Sequence, residues 1–418
     1  MPLYAALLSV LTGCSTVIRF SSTGTAVVSP TVDAEIGPLT ITKGGSYSGT
    51  WTSNDPNTPA VNILTNEPVT LHNAVLTGRG DLIDINGTGT GANVTVEDVT
   101  GTALDPGVAG MQRGAFISAN DMSSLDVEHT SMFGVSFGIK VLSSTVSKLK
   151  ISKNTGSNLE DRASDGAGGL LTTRPNLGHF IFLYKVSAPA GADIGWNQLV
   201  NTIGSSSTED VVNLFKSEGT AGHPLRVHNN YMEGYSSTTT ASYTGAGLIT
   251  DGDGEAPETA FVEFIANRIV HTAGSGIAIA SGHDILAKNN HIVSCGLDAG
   301  GTWFAMPFVN AVNVWNYYHG PQFDNITVEG TTGGMLRPSA SGQPLAVDLW
   351  AQSSDLNSTD SVGNNAFTDP CLANGQINPQ AEETERAAWA AKLTKAGITL
   401  GDQDMPGDQD KPGNQNKP

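Results

Sequence analysis

Two short patterns alternate along this chain, and their repetition limits the folds that it can adopt. One is Asn-x-(Ile/Leu/Met), which begins at Asn197, Asn230, Asn267 and Asn290. The other is an alternating apolar run that ends in a polar residue, with ends at Lys185, Lys216, Asp251, Ser281 and Asn316. Successive ends lie about 30 to 35 residues apart, a spacing typical of a stacked solenoid. Stacking brings equivalent residues of successive coils together, so the repeated ends are also the first place to look for a site.

Composition favours a solenoid of β-strands over one of helices. The chain holds 49 glycines, only 15% of its residues are charged, and short apolar runs are broken by Gly, Asn and Asp. Such runs are typical of strands joined by turns. We therefore predict an all-β fold, a single-stranded right-handed parallel β-helix over residues 61–370. Residues 15–60 are polar and turn-rich and are expected to form an N-terminal cap region.

The C-terminal part departs from the strand pattern. Asn378-Pro379 matches a helix start and Gly397 a helix end, so an amphipathic helix is predicted over 379–396. Within region 371–400 this helix is expected to cover the open end of the solenoid. Residues 401–418 are three near-copies of one hexapeptide with almost no apolar residue, which predicts a disordered tail.

The first fourteen residues predict export. Residues 3–12 are largely apolar and lead into Leu11-Thr12-Gly13-Cys14. Residues 1–14 resemble a bacterial lipoprotein signal with lipidation at Cys14, and an ordinary secretory signal is the alternative. Both place the protein outside the cytoplasm, in the bacterial cell envelope or the extracellular space. Only Cys295 and Cys371 remain for a disulfide, and the sequence leaves their pairing open.

The net charge limits the classes of partner that the chain can bind. The formal charge is −19 at pH 7, so nucleic acid and anionic membrane surfaces would repel the chain. Membrane contact is expected only through the lipid anchor, and a monomer is expected. An anionic ligand still fits a locally basic surface.

The polar strand ends suggest such a surface. If Lys140, Lys185, Lys216 and Asp251 form one column, neighbours lie about 4.8 Å apart. Stacked ammonium groups repel one another, which favours a neutral lysine that could remove a proton. The alternative is that each lysine is simply solvated at a strand end.

The segment from Glu209 to Ser217 sharpens this prediction. It resembles the catalytic segment of the chondroitinase B and alginate lyase family, whose members are right-handed parallel β-helix enzymes. The resemblance implies that Lys216 removes the proton α to a uronate carboxylate. It also implies a calcium ligand at Glu209, although Val211 stands where the family has a second glutamate. No cofactor other than this calcium is indicated.

In the family that the segment resembles, an arginine on the next coil assists the lysine, and this chain differs at that position. Asp251 occupies the position of the family's arginine, and Arg226 is the candidate substitute.

The leading functional prediction is cleavage of an extracellular, anionic polysaccharide by β-elimination. Lys140 and Lys185 would hold the carboxylate beside the base Lys216. The further residues expected to contact substrate are Asn213, His283, Trp315, Asn316 and Tyr317.

Two other functions stay open. Asp251, Asp253 and Glu255 could serve an inverting glycoside hydrolase, although Asp-Gly-Asp-Gly is also a common turn. Alternatively, Trp315 and Tyr317 could stack on sugar rings in a carbohydrate-binding protein or adhesin without catalysis.

Overall fold

The computed structural model describes residues 37–402 except 88, 172–177, 203, 235–244, 299 and 304–309. Within that part, long parallel sheets and one C-terminal helix form a parallel β-helix, as predicted. The signal-like segment with Cys14, and residues 403–418 of the predicted tail, lie outside the described residues.

The first sheet takes one strand from each coil, and every pairing in it is parallel. Its strands are β1 (Leu39–Ile41), β3 (Val61–Ile63), β5 (Ile83–Asn86), β7 (Ile117–Asn120), β10 (Ile139–Leu142), β13 (His179–Tyr184), β16 (Asp210–Phe215), β19 (Leu248–Asp251), β22 (Ile277–Ile279), β25 (Val312–Val314) and β29 (Leu349–Ala351). The apolar runs that end at the predicted polar residues are β13, β16, β19, β22 and β25, so this part of the prediction is confirmed. Coiling begins at β1, earlier than residue 61, because β1 already pairs with β3.

The second sheet forms the rest of each coil. It starts with three long strands, β2 (Gly45–Ser53), β4 (Val69–Gly78) and β6 (Ala92–Ala103). It then divides, because β6 pairs with two successive shorter strands. The first branch is β8 (Met122–Glu128), β11 (Lys148–Ser152), β14 (Ala192–Gly195), β17 (Leu225–His228), β20 (Ala260–Ile265), β23 (His283–Lys288) and β26 (Ile326–Glu329). The second is β9 (Ser131–Phe133), β12 (Thr155–Ser157), β15 (Gln198–Val200), β18 (Tyr231–Glu233), β21 (Arg268–Val270), β24 (His291–Ser294), β27 (Thr332–Pro338) and β30 (Ala366–Phe367).

The Asn-x-apolar motif lies at the bend between these branches. The asparagine ladder is the buried stack of Asn154, Asn197, Asn230, Asn267 and Asn290. Asn230 shows its bonding: its amide donates to Ile194 O and to Asn267 Oδ1, both at 3.0 Å, while its Oδ1 accepts from Asn197. The ladder therefore satisfies backbone groups that the bend removes from the sheet.

The residue before each ladder asparagine makes the bend. Lys153, Trp196, Asn229, Ala266 and Asn289 all have φ between 52° and 60°, in the left-handed region. Such a residue reverses the side-chain alternation within one step, so the following asparagine points into the coil. The motif is thus structural.

The C-terminal helix α1 (Gln380–Ala396) is present, and Gly397 ends it at φ 65°. Its placement differs from the prediction, because it lies along the flank of the solenoid. Glu382 accepts from the Cys295 N–H at 2.6 Å, whereas Trp389 donates to Gln198 Oε1 at 2.8 Å, several coils earlier. A helix of this length spans about 25 Å, close to five coil spacings of about 4.8 Å.

Aromatic stacking and a disulfide fix this helix to the second branch. The Trp389 ring stacks on Trp196 and Tyr231 at centroid distances of 6.1 and 5.8 Å. Cys295 and Cys371 form a disulfide beside the antiparallel pair β31 (Leu372–Ala373) and β32 (Gln376–Ile377). A second antiparallel strand, β28 (Pro344–Ala346), pairs with β27. The helix covers a side of the β-helix, and the first sheet keeps an outward face.

Candidate functional site

The outward positions of the first sheet form a surface that we call the site face. Its central column runs through successive strands in the order Asp84, Ser118, Lys140, Phe182, Asn213, Ile249, Ala278, Asn313 and Trp350. The neighbouring column includes Leu142, Tyr184, Phe215 and Asp251. Both columns run along the solenoid axis.

The predicted column of lysines is wrong in register. Lys140 pairs with Phe182, three positions before Lys185, and Asp251 pairs with Phe215, one position before Lys216. Only Lys185 and Lys216 are equivalent, both in the left-handed turn that follows the strand, at φ 55° and 47°. The predicted neutral lysine required three stacked ammonium groups that repel one another. Only two of the three lysines lie at equivalent positions, so this requirement is not met.

Lys216 is buried in an ion pair. Its side chain leaves only 5% of its surface exposed, and Nζ donates to Asp253 Oδ1 at 2.6 Å. To act as a base, Lys216 would first have to lose this ion pair. Its ammonium instead stabilises the ionised form of Asp253 and holds the pKa of that carboxyl below its usual range.

Asp251 lies in the opposite environment. Burial raises the pKa of Asp251, and the nearby Asp253 charge acts in the same direction. Tyr318, Asn213 and the Gly252 N–H hydrogen-bond to the carboxyl and oppose that rise. The Asn213 amide donates to Asp251 Oδ2 at 3.0 Å, and the Gly252 N–H donates to Oδ1 at 2.9 Å. The pKa values of the two carboxyls, two residues apart, are therefore shifted in opposite directions.

A second acid stands behind Asn213. Asp210 is buried, and its Oδ2 accepts from the Asn213 amide at 3.3 Å. The Ala246 N–H donates to Asp210 Oδ1 at 2.9 Å. Asn213 thus bridges Asp210 and Asp251 and fixes both carboxyls relative to the sheet.

The calcium prediction finds a poor donor set at Glu209. His179, Glu209 and Asp210 bring one ligand atom each within 4.8 Å of one another, and all three residues are buried. His179 offers a nitrogen, whereas calcium takes six to eight oxygen ligands. Val211, at the family's second glutamate position, is packed in the core. The described residues do not fit calcium here.

Aromatic rings cover the N-terminal side of the site face. Tyr184 and Phe215 stack at 5.0 Å, and Phe182 lies 5.9 Å from Tyr184. Lys185 Nζ lies 5.0 Å from the Tyr184 ring centroid, and Lys140 Nζ lies 5.2 Å from that of Phe137. Both lysines thus occupy this side.

A second aromatic group lies on the C-terminal side. The ring of Trp315 meets Tyr317 at 5.8 Å and Trp350 at 5.9 Å, both edge-on. Tyr317 is 51% exposed and Trp350 43%. Trp315 and Tyr318 also pack on the small apolar residues of β19 and β22, so Trp315 serves partly as a satellite core. The carboxyls lie between the two aromatic groups.

Two predicted residues lie elsewhere. Arg226 is on the second sheet, where it alternates in sign with its neighbours Asp193 and Glu263 and pairs with Glu263 at 2.8 Å. His283 contacts Asp284 at 2.7 Å and the Phe261 ring at 5.6 Å. These contacts place both side chains with the second sheet.

The side chain of Asn316 is hydrogen-bonded within its own turn. Its Oδ1 accepts from the Gly320 N–H at 2.9 Å, and its amide donates to Gly320 O at 3.0 Å. The same turn places Tyr318 against Asp251, so Asn316 acts on the site indirectly.

Sequence reasoning missed one buried pair beneath the site. The Ser281 hydroxyl donates to Glu258, and both side chains are buried. A Cβ on Gly252 would lie 2.5 Å from Ser281 Oγ, so only glycine fits between Asp251 and Asp253. A local clue is the pattern Asp251-Gly252-Asp253-Gly254, which places a glycine at this close contact.

Neither a protein-family model nor a curated protein matches the chain. Across the described residues, no helix has the length and apolar character needed to span a membrane.

Proposed function

We propose that the site face binds a polysaccharide along the solenoid axis and hydrolyses it. One observation carries this proposal: at one edge of the face Asp251 is hydrogen-bonded to Asn213 in a largely buried place, whereas the more exposed Asp253 is paired with Lys216. These environments shift the pKa values of the two carboxyls in opposite directions. Two neighbouring carboxyls whose pKa values differ in this way can supply the acid and the base of glycoside hydrolysis.

The chemistry follows from those two states. Protonated Asp251 donates its proton to the glycosidic oxygen as the bond from that oxygen to the anomeric carbon breaks. Ionised Asp253, whose side chain is 38% exposed, accepts a proton from the water whose oxygen bonds to that carbon. Water thus supplies the hydroxyl of one product and, through the carboxyls, the proton of the other.

Neighbouring residues support these roles. Asn213 and Tyr318 orient the Asp251 carboxyl, and Lys216 keeps Asp253 ionised. Aromatic rings on both sides of the carboxyls offer stacking surfaces for sugar rings. The arrangement suits a chain that extends past the carboxyls in both directions.

Hydrolysis is favoured over β-elimination by the ion pair of Lys216 and by the failure of the lysine column. The lyase resemblance around Lys216-Ser217 makes elimination the competing outcome. Export, predicted from residues 1–14, accords with the Cys295–Cys371 disulfide, since disulfides persist in oxidising compartments. We retain the lipid anchor at Cys14 as part of the proposal.

The test compares products. The full chain is incubated with alginate, pectate, glycosaminoglycans and neutral glucans, with and without calcium. We expect reducing ends without ultraviolet absorbance from an unsaturated sugar. Absorbance that is lost in Lys216→Ala would instead establish elimination, and tight binding without any product would establish a binding protein.

A further inference from the structure

We propose that the site face is divided by charge: its N-terminal side binds the acidic groups of an anionic polysaccharide, and its C-terminal side binds uncharged sugar surfaces. This inference rests on the proposed function for the direction of the chain, and it names the substrate class. The N-terminal side is defined by Lys140, Phe182, Tyr184 and Lys185, and the C-terminal side by Trp315, Tyr317 and Trp350.

The first observation is that two lysines on the N-terminal side form no direct ion pair among the described residues, although Lys140 acts at longer range on Asp84 and Lys185 on Asp253. The chain holds 40 acidic residues against 21 basic ones, so a carboxylate is easily placed beside a lysine. The lysines of the second sheet show this: Lys148 pairs with Asp126 and Lys288 with Glu329, each at 2.6 Å. Lys140 and Lys185 instead lie over aromatic rings.

The second observation is the geometry of those rings. A lysine held over an aromatic ring keeps its ammonium available to a further anion, because the ring carries no net charge. Tyr184 and Phe215 stack at an interplanar angle of 17°, so they present one continuous surface beside Lys185. A sugar ring on this surface would bring its acidic substituent within reach of the ammonium group.

The third observation is the contrast across the carboxyls. The central-column residues of β22, β25 and β29 are Ala278, Asn313 and Trp350, none of which is charged. Asn313 is also occupied, since its amide donates to Ser275 Oγ at 2.6 Å. This side therefore offers rings and no cation in its column, which suits the apolar face of a sugar.

The length of the site face and the charge at its centre both allow one polysaccharide chain to cross the two sides. From β10 to β29 the first sheet makes six strand steps of about 4.8 Å, or about 29 Å, enough for several sugar rings. Lys216 offsets the charge of Asp253, and burial raises the pKa of Asp251, which disfavours its charged form. An acidic chain can therefore pass the carboxyls with less repulsion than the net charge of −19 suggests.

The experiment measures binding separately from cleavage. Full-length protein carrying Asp251→Asn is titrated with polyuronate and with a neutral glucan at several salt concentrations. It is compared with the same protein carrying also Lys140→Met and Lys185→Met. Lys148→Met with Lys288→Met is the matched control, because it removes the same charge from the second sheet.

We expect the Lys140/Lys185 variant to bind polyuronate at least about tenfold more weakly and with a smaller salt dependence, since two charge contacts are lost. The control should match its parent, and affinity for neutral glucan should not change. Equal weakening in the control, or competition by single-stranded RNA as strong as that by polyuronate, would overturn the inference.

The two proposals fail in different ways. If the unmodified protein binds polyuronate through these lysines and releases no reducing ends, hydrolysis fails and the charge division stands. If it hydrolyses neutral glucan at a rate that the lysine substitutions leave unchanged, the charge division fails and hydrolysis stands.

Discussion

The asparagine ladder and the site face are both built by stacking, yet they differ in uniformity. In the ladder, each coil from Asn154 to Asn290 repeats one residue and one set of hydrogen bonds. On the site face, Phe182 is followed by Asn213 and then Ile249 in the same column. A column that repeats one polar residue solves a backbone problem, whereas a column that changes at every coil can carry a chemical task.

The difference in burial supports the same conclusion. Ladder asparagines are buried and exchange their hydrogen bonds with one another and with backbone carbonyls. The site face is buried at its centre, at Asn213, Ile249 and Ala278, but it carries rings that remain partly open to solvent, such as Tyr317 and Trp350. Damage to the ladder should therefore lower stability, and damage to the site face should lower activity.

The largest effect is expected at Asp251. Asp251→Asn keeps the shape of the side chain and removes the proton donor, so turnover should fall by about a thousandfold. Stability at neutral pH should not fall, because the neutral amide avoids the burial cost that raises the pKa of Asp251. The rate of reducing-end release measures this. Glu255→Gln removes an exposed carboxylate from the same loop and should keep full activity.

The next largest effect is expected in the ladder. Asn230→Ala leaves the Asn197 N–H and Ile194 O without their partner and should lower the free energy of unfolding by about 3 kcal/mol. Urea unfolding measures the change. Asn93→Ala, at a half-buried position on β6, should cost less than about 0.5 kcal/mol. An equal loss of unfolding free energy in the two variants would contradict the proposal that the ladder stabilises the bend.

A smaller effect is expected where the last coil joins the two sheets. Burial, together with the neighbouring Asp369, raises the pKa of Asp348 to about 6. A raised folded-state pKa stabilises at low pH, and this stability is lost as pH rises from about 4, the unfolded value, through about 6. Asp348→Asn should therefore stabilise at pH 8 by about 1 kcal/mol, after allowance for solvent screening, and not at pH 4. Identical differences from wild type at both pH values would contradict this explanation.

The smallest effect is expected at Lys216. Lys216→Met removes the ammonium that lowers the pKa of Asp253, so the acidic limb of the pH–rate profile should move to higher pH. Activity at neutral pH should persist in part. Lys148→Met is the control, since Lys148 pairs with Asp126 on the second sheet. Complete loss at every pH would favour a lysine base and elimination.

The sequence predicted the fold because strands and turns are local. Alternation within β13 or β16 and the left-handed turns at Lys185 and Lys216 depend on a few adjacent residues. Register across coils is not local, because loops of different length separate the strands. The predicted column is therefore out of register by three positions at Lys140 and by one position at Asp251.

Placement of α1 was equally beyond the sequence. Its end at Gly397 is local and was predicted, whereas Pro379, one residue after the predicted Asn378, stands at the N-cap without a side-chain hydrogen bond. Its partners Gln198 and Tyr231 lie far away along the chain. The site required the same distant information, since Tyr318 reaches Asp251 through a turn that Asn316 closes. Residue types alone predict a carbohydrate site, and that prediction stays open; the stacking shows which residues meet.

The most direct test is turnover per folded molecule, measured for Asp251→Asn and Asn230→Ala at a temperature where both are folded. We predict a loss of about a thousandfold in the first variant and wild-type turnover in the second. Full turnover in Asp251→Asn, or a parallel loss in both variants, would contradict the division between a structural ladder and a catalytic face.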